Sequence, residues 1–468
     1  MNVSNINYFD ENRMDIVIKY LYVKAYIEQK YVKYFENLYL SSIKRINGGI
    51  EDDKKSPQDF LKKFNKLIKS IEKNGFNKKY PIPIGEDGIL LNGAHRLAVC
   101  MYLNISPEVK YFKKKSELKF DINFFEKAGF KKIHIYRIIN EYCKLKPNKN
   151  IFILWEPSKK YWKSIKSKIS KSQRIVFQNQ YRLNKKAMRN LIKDMYYYEF
   201  KHSLKNYINL KISNLEKYST NSQILVIVTE PILNTPTIQI KNEIREKLHN
   251  KIPRELFITL HTNDNLEHSR YLINLLFNYN NIEYLNYISD KYSKKVEKKL
   301  LFLENFIQKN NINKEDICID SGTVLEICGI RSSSDIDIIV KEKPKNIKKV
   351  PLVEIHNKNI NSHKTNISDE EIIDLDYCHF YYKGFKCVNL GLIKLRKNSE
   401  SKKEKIDIKL IENFLTKKKF SHLHIFEELN FKFKVFIYYF FKKTSNLLFT
   451  ENQKKVLLNK LEKVGIKF

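Results

Sequence analysis

The stretch 318–340, CIDSGTVLEICGIRSSSDIDIIV, constrains the fold of this chain more than any other. An apolar strand leads into the small residues 321–323, and residues 324–327 then read as a helix. A second apolar strand follows and carries Asp335 and Asp337. Because side chains alternate along a strand, both carboxylates lie on the same face of it. The stretch therefore predicts a strand, a tight turn, a helix, and a strand with two aligned acids.

The small residues Ser321, Gly322 and Thr323 allow backbone N–H groups to approach a phosphate at the start of the helix, where the helix dipole favours an anion. Mg²⁺ in proteins takes one or two carboxylates and completes its shell with water and phosphate oxygens. Two aligned carboxylates beside such a turn therefore indicate a site for Mg²⁺ and a nucleotide. The alternative is that Asp335 and Asp337 face solvent on an edge strand.

This arrangement resembles the DNA polymerase beta-like nucleotidyltransferase superfamily, in which a Gly-Ser or Gly-Gly turn precedes Asp-x-Asp between apolar residues. Gly322 and Thr323 stand for the turn, and Thr323 departs from the usual serine. The approach from Arg331 to Ser334 is most similar to the small-molecule and toxin-type branches. The resemblance implies Mg²⁺-dependent nucleotidyl transfer from ATP or CTP, with Ser321, Gly322, Thr323, Arg331 and Ser334 binding the nucleotide.

The superfamily also has a third acid on a neighbouring strand. Glu354 lies in an apolar-acid-apolar run and matches this pattern best, while Asp374 and Asp376 are the alternatives. By this resemblance Asp335, Asp337 and Glu354 hold the metal and form the catalytic set. Glu354 would also help to deprotonate the acceptor.

A second motif, NGAHRLAV at 92–99, follows a short strand and opens a helix. Gly93 frees backbone donors at the helix start, and His95 and Arg96 lie in its first turn, where they could hold an anion. Together with LIKSIEKNGFNKKYPIPI, this motif makes residues 56–115 resemble the ParB/sulfiredoxin superfamily. The resemblance implies a second nucleotide site, kinase-like or NTP-hydrolysing, or a nucleic-acid-binding module. The alternative is a helix start whose His95 and Arg96 only solvate the surface.

Three continuous apolar runs, at 151–155, 224–228 and 256–260, are separated by helical patterns. Such runs are typical of buried parallel strands, so we predict a middle α/β domain with parallel strands. Polar residues follow each run, which indicates either a third ligand site or caps of the following helices. His261 and His268 lack the i,i+4 spacing of a helical zinc pair and have no cysteine partner, so their spacing predicts no zinc site.

These patterns predict a multidomain α/β chain, α+β in parts, with five segments. They are a helical amino-terminal segment (1–50), a ParB/sulfiredoxin-like domain (51–118), the middle α/β domain (119–300), a nucleotidyltransferase domain (301–420) and a helical carboxyl-terminal tail (421–468). The apolar run 431–441 in the tail is too short to span a bilayer. It predicts a helix packed on the transferase core, with peripheral contact to a membrane surface as the alternative.

The composition is strongly basic, with 87 Lys and Arg against 52 Asp and Glu and a net charge of +35. The basic residues are spread along the whole chain among many Asn, Ile, Tyr and Phe, so compositional bias explains the charge better than nucleic-acid binding does. The six cysteines form no C-x-x-C pair, and neither a signal-peptide pattern nor an apolar run of membrane-spanning length is evident. These features favour a reducing cytoplasm.

Taken together, the sequence predicts a cytoplasmic, bifunctional transferase that uses a nucleotide to activate a phosphorylated small molecule. A sugar, polyol or amino-acid derivative is expected as the acceptor, as in the assembly of surface polysaccharides. The second hypothesis is a toxin- or defence-type nucleotidyltransferase that acts on RNA or another nucleic acid, with the ParB-like domain as its binding module. A steep fall of affinity with salt would favour the second hypothesis.

Overall fold

The computed structural model describes residues 7–51, 54–200, 205–342, 346–357, 367–397 and 401–417. Helices and strands are mixed within them, and the strands pair in both parallel and antiparallel fashion. The chain divides into two compact units, residues 1–287 with 381–384, and residues 288–380 with 385–468. The run 431–441, for which a helix is predicted, lies outside the described residues. Within the described ranges, every helix is too short or too polar to cross a membrane.

The first unit alternates helices with short strands. Its helices are α1 (Met14–Glu28), α2 (Val32–Asn47), α3 (Pro57–Asn74), α4 (Ala94–Leu103), α5 (Ile122–Lys127), α6 (Lys132–Leu145), α7 (Trp162–Ile169), α8 (Lys185–Phe200), α9 (Lys205–Tyr218), α10 (Thr237–Leu248), α11 (Leu266–Phe277) and α12 (Asn281–Tyr284). Its strands are β1 (Ile82–Gly85), β2 (Val109–Phe112), β3 (Asn150–Trp155), β4 (Gln173–Arg182), β5 (Gln223–Pro231) and β6 (Leu260–Thr262). The predicted helical amino-terminal segment is thus present as α1 and α2.

The main sheet of the first unit is antiparallel throughout, so the prediction of a middle domain with parallel strands is wrong. Its strand order is β4-β5-β3-β6, and each neighbouring pair runs in opposite directions. One face of β3 and β5 packs on α7 and α10, while Ile153 and Val226 on the other face are also fully buried. A strand that is buried on both faces is a continuous apolar run whether it is parallel or antiparallel to its neighbours. The apolar runs therefore carried no information on strand direction.

The antiparallel arrangement also separates the polar residues that follow these strands. Trp155 at the end of β3 pairs with Ile224 at the start of β5, so Glu156 and Glu230 lie near opposite ends of this pair of strands. Glu156 accepts hydrogen bonds from the backbone of Asn221 and Gln223, whereas Glu230 pairs with Arg174. The third ligand site expected from parallel strands is therefore not formed by these two acids.

In the described part of the second unit, five strands form a sheet in the order β10-β11-β7-β8-β9. Its strands are β7 (Ile317–Asp320), β8 (Ile336–Val340), β9 (Val353–Ile355), β10 (His379–Tyr382) and β11 (Phe385–Val388), and its helices are α13 (Ser293–Lys309), α14 (Ser321–Ile327), α15 (Asp369–Asp374), α16 (Leu390–Arg396) and α17 (Lys402–Lys417). The predicted succession of strand, helix and strand in 318–340 is confirmed as β7, α14 and β8. The tight turn expected at 321–323 is instead the first turn of α14, which begins at Ser321, and Asp335 lies one residue before β8.

The connection between β10 and β11 is a two-residue turn at Lys383 and Gly384. Both residues have positive φ, 49° and 76°. A two-residue turn with positive φ at both positions matches the right-handed twist of the flanking strands. The hairpin that the Lys-Gly pair predicts is thereby confirmed.

Candidate active site

Three acidic residues lie side by side across the sheet of the second unit. The antiparallel pairing of β7 with β8 sets Asp320 opposite Asp337, and the parallel pairing of β8 with β9 sets Asp337 opposite Glu354. Residues directly opposite one another on neighbouring strands have their side chains on the same face of the sheet. The register therefore aligns Asp320, Asp337 and Glu354 in one row.

A pocket of about 530 Å³ lies over this row. Seven of the residues predicted to form the site line it, namely Ser321, Gly322, Arg331, Ser334, Asp335, Asp337 and Glu354. The lining also includes residues that sequence reasoning missed: Asp320, Ser332, Ser333, His356, Ile393, Arg396, Lys397, Ser401, Lys403 and Glu404. The structure thus brings together segments that are up to 84 residues apart, counted from Asp320 to Glu404.

Of the two predicted acids, Asp335 and Asp337, Asp337 is the more buried. It is 8% exposed, and its Oδ1 lies 3.3 Å from Nδ1 of His356, while its Oδ2 accepts the N–H of Gly322 at 3.4 Å. Burial raises the pKa of Asp337 above its usual 3.8, and His356 acts in the opposite direction. The proximity of Asp335 also raises this pKa, as expected for two carboxylates that share one site.

Asp337, Glu354 and His356 place one ligand atom each within 4.8 Å of one another. The other ring nitrogen of His356, Nε2, lies 3.3 Å from Glu354, whose side chain is 61% exposed. Sequence reasoning missed His356, although it stands only two residues after Glu354 on the same strand-like run. The sequence did contain a signal for His356. Residues two positions apart on a strand have their side chains on the same face, so His356 is expected beside Glu354.

Gly322 allows a close approach between α14 and the segment before β8. A Cβ atom at this position would lie 2.9 Å from the Cβ of Ser333, which is closer than real side-chain contacts allow. Thr323, which follows it, is fully buried and donates its hydroxyl to the carbonyl oxygen of Asp335 at 2.9 Å. Ser321 and Gly322 therefore face the pocket, while Thr323 positions the segment that carries Asp335.

Ser321 adopts a left-handed backbone conformation with φ of 46°, which is uncommon for residues other than glycine. Its N–H is held by Oδ1 of the preceding Asp320 at 2.7 Å. Backbone strain of this kind persists only where the surroundings impose it, and it is concentrated at functional sites. Ser321, the first residue of α14, also lines the pocket.

Three basic side chains on the pocket wall are each held by buried carboxylates. Arg331 donates two hydrogen bonds to Asp407, at 2.6 and 2.8 Å, and Lys397 contacts the same carboxylate at 3.0 Å. Arg396 bridges Asp320 at 3.2 Å and Asp369 at 3.0 Å. Arg331 was predicted for the site, whereas Arg396 and Lys397 carry no sequence signal that sets them apart from many other basic residues.

The two alternatives for the third acid lie elsewhere in the second unit. Asp374, the last residue of α15, forms an ion pair of 2.8 Å with Lys341. Neither Asp374 nor Asp376 lines the pocket, whereas Glu354 does. Geometry therefore favours Glu354 among the three candidates.

The motif around Gly93 lies in the first unit, at the start of α4. Gly93 has a φ of 91° and precedes the helix. His95 contacts the hydroxyl of Tyr39 at 2.9 Å and burial lowers its pKa well below 6.5, so the ring is neutral at pH 7. Arg96 donates hydrogen bonds to the carbonyl oxygens of Tyr80 and Pro81. In this structure both side chains are thus engaged with protein groups.

Comparisons of the chain with protein-family models, with curated proteins and with solved structures find no match. The site is therefore interpreted from its own geometry.

Proposed function

We propose that this chain is a Mg²⁺-dependent nucleotidyltransferase whose active site is the pocket over Asp335, Asp337 and Glu354. The observation that carries the proposal is the register of β8 and β9, which sets Asp337 opposite Glu354 in a pocket that Asp335 also lines. The burial of Asp337 opposes its ionised form. A site that binds a cation explains why these acids are there.

The residues present fit a hard divalent cation. Asp337 and Glu354 offer oxygen ligands whose spacing, within 4.8 Å together with His356, is suited to a single ion. Carboxylate oxygens are the ligands that Mg²⁺ prefers, so His356 is better placed to hydrogen-bond the two carboxylates than to coordinate the ion. When bound, Mg²⁺ would supply charge neutralisation at the phosphate oxygens of the nucleotide.

The basic wall of the pocket supports binding of a polyphosphate. Arg331, Arg396 and Lys397 lie at its edge, and the carboxylates of Asp407 and Asp320 hold them in place. A guanidinium fixed in this way loses little conformational entropy when its remaining N–H groups donate hydrogen bonds to a phosphate. Ser321 and Gly322 would face the same phosphates from the first turn of α14.

The pocket volume favours a small acceptor. About 530 Å³ falls in the range of 300–1,000 Å³ that is common for small-molecule sites. We therefore propose a phosphorylated metabolite, such as a sugar, polyol or amino-acid derivative, as acceptor and ATP or CTP as donor. The six cysteines are all buried and form no disulfide, which supports the proposal that the protein works in the reducing cytoplasm.

The test is product analysis by mass spectrometry after incubation of the full chain with Mg²⁺, each of the four NTPs and a metabolite extract. We expect pyrophosphate together with one nucleoside-monophosphate adduct of a small molecule. Asp337→Asn should lower this activity at least about a hundredfold, because even residues that only support a metal ligand contribute ten- to a hundredfold. Glu342→Gln, an exposed acid outside the pocket, is the matched control and should retain full activity.

Two outcomes would contradict the proposal. Equal product formation by wild type and Asp337→Asn would show that the pocket over β8 is not the reaction site. Labelling of RNA in place of a metabolite would favour the toxin- or defence-type alternative.

A further inference from the structure

Glu199, His261 and His268 converge in the first unit from three separate elements. Glu199 is next to the last residue of α8, His261 lies in β6, and His268 lies in the first turn of α11. Oε1 of Glu199 is 3.3 Å from Nε2 of His261 and 3.6 Å from Nε2 of His268. One carboxylate oxygen and two imidazole nitrogens therefore face a common point.

These three atoms are buried without a hydrogen-bond partner. His261 and His268 are 4% and 0% exposed, and the side chain of Glu199 is 10% exposed. In the part of the chain that the structure describes, no donor or acceptor satisfies Oε1 of Glu199 or Nε2 of either histidine. Buried polar atoms are almost always hydrogen-bonded, because leaving one unsatisfied costs about 1–3 kcal/mol. Three such atoms directed at one point require a common explanation.

The two separations measured from Glu199 are close to the edge of a metal coordination tetrahedron. With ligand bonds of about 2.0–2.1 Å, two ligands of a tetrahedral Zn²⁺ are about 3.3 Å apart. The two measured separations from Glu199, 3.3 and 3.6 Å, lie at or near this value. All the ligand atoms are within 4.8 Å of one another.

The far ring nitrogens lie close to groups that can accept the proton of a metal-binding histidine. Nδ1 of His261 is 3.4 Å from the hydroxyl of Tyr196, and Nδ1 of His268 is 3.6 Å from a carboxylate oxygen of Asp264. A neutral histidine that binds a metal through Nε2 carries its proton on Nδ1, which usually donates it to a carboxylate or another acceptor. In the structure Nδ1 of His268 accepts the backbone N–H of Asp264 at 3.2 Å. Metal binding through Nε2 would place the proton of His268 on Nδ1, and this hydrogen bond would then be lost.

We propose that Glu199, His261 and His268 bind a divalent transition-metal ion, with Zn²⁺ as the ion best suited to them. Two imidazoles and one carboxylate suit Zn²⁺, whereas Mg²⁺ prefers oxygen ligands alone. Three protein ligands leave a fourth position for water or another small ligand. The site is made by residues of the first unit and is distinct from the cluster around Asp337.

Sequence spacing did not reveal this site, because the rule of i,i+4 applies to two histidines on one helix. His261 and His268 are seven residues apart and lie on a strand and on the helix that follows it. Glu199 precedes His261 by 62 positions and is brought to them by the packing of α8.

A protonated Glu199 is the competing explanation. Burial raises the pKa of Glu199 to about 8, the charge of Asp264 adds to this effect, and Lys241 and Lys211 oppose it. Such a carboxyl would hold its proton at pH 7 and share it with a histidine, without any metal. A bound cation would displace that proton, so the two explanations differ in metal content and not in fold.

The experiment measures zinc in the full chain, purified without a polyhistidine tag and dialysed against metal-free buffer. We expect about one Zn²⁺ per chain by inductively coupled plasma mass spectrometry, and a lower melting temperature of the protein after a chelator removes the metal. Glu199→Gln and His268→Gln should both lose the zinc and the effect of the chelator. His379→Gln removes another buried histidine and Asp337→Asn alters the other cluster, and both should keep the zinc.

Titration of the metal-free wild type with Co²⁺ tests the site without any variant. Visible absorption of tetrahedral cobalt without a thiolate charge-transfer band is expected from two nitrogens and one oxygen. A thiolate band would place the ion on the cysteines and would overturn the proposal. Wild-type protein that neither contains nor binds Zn²⁺, or Glu199→Gln protein with unchanged zinc, would overturn it as well.

Discussion

The ammonium group of Lys299 lies 3.0 Å from the carbonyl oxygen of Asp335. The same group pairs with Glu326 at 2.6 Å and donates to the carbonyl and hydroxyl oxygens of Ser333. Lys299 and Glu326 are 2% and 0% exposed, so this ion pair is buried behind the pocket. One lysine of α13 therefore braces the segment that leads into β8.

Replacement of Lys299 by Met should destabilise the second unit by about 3–5 kcal/mol, because it leaves Glu326 buried without its main counter-charge. Chemical denaturation followed by circular dichroism measures this change. Lys295→Met is the matched control, since Lys295 contacts the same carboxylate at 3.4 Å but is 48% exposed. It should cost less than about 1 kcal/mol. Equal effects of the two variants would contradict the bracing role of Lys299.

Glu354→Gln should reduce nucleotidyl transfer strongly, whereas Asp374→Asn should not. Glu354 lines the pocket opposite Asp337, and Asp374 is paired with Lys341 outside it. Steady-state rates at saturating Mg²⁺ distinguish the two variants. Loss of transfer activity in Asp374→Asn but not in Glu354→Gln would instead identify Asp374, in α15, as the third acid.

The stability contributed by Asp407 should depend on pH. Burial alone would raise its pKa, but hydrogen bonds from Arg331 and Lys397 outweigh burial and hold the pKa below 3.8. A carboxyl with a lowered pKa in the folded state contributes stability above its unfolded pKa and loses it as the pH falls through the folded value.

Asp407→Asn should therefore cost about 2–3 kcal/mol near neutral pH, and the difference from wild type should shrink as the pH falls below about 3.8. Urea denaturation at several pH values measures this difference. Glu412→Gln is the control. Glu412 lies on the same helix as Asp407, but its side chain is 48% exposed and forms a partly exposed ion pair with Lys394. A difference that stays constant down to acid pH would show that Asp407 acts through packing alone.

Arg96→Ala tests whether the motif at the start of α4 binds a nucleotide. If Arg96 leaves the carbonyls of Tyr80 and Pro81 to hold a phosphate, its loss should weaken that binding event by about 1.5–3 kcal/mol, or roughly ten- to a hundredfold. Titration calorimetry with ATP and CTP measures it, and Lys79→Ala, an exposed neighbour, serves as control. Unchanged binding by Arg96→Ala would mean that its contacts with the two carbonyls are purely structural.

The sequence alone determined the local plan around the candidate site. Alternation of apolar residues and acids predicted β8 with Asp337, the small residues marked the start of α14, and the Lys383-Gly384 pair predicted the hairpin. These features depend on interactions within a few residues, which periodicity and turn preference report directly.

Only the tertiary structure decided which distant residues share a site. Strand register set Asp320 beside Asp337, and helix packing brought Arg396 to Asp320 and Glu199 to His261. Strand direction in the first unit was also beyond the sequence, because a strand that is buried on both faces is apolar in either orientation. Hydrophobic periodicity indicates whether a residue is buried. Strand register and helix packing determine which other residues that residue contacts.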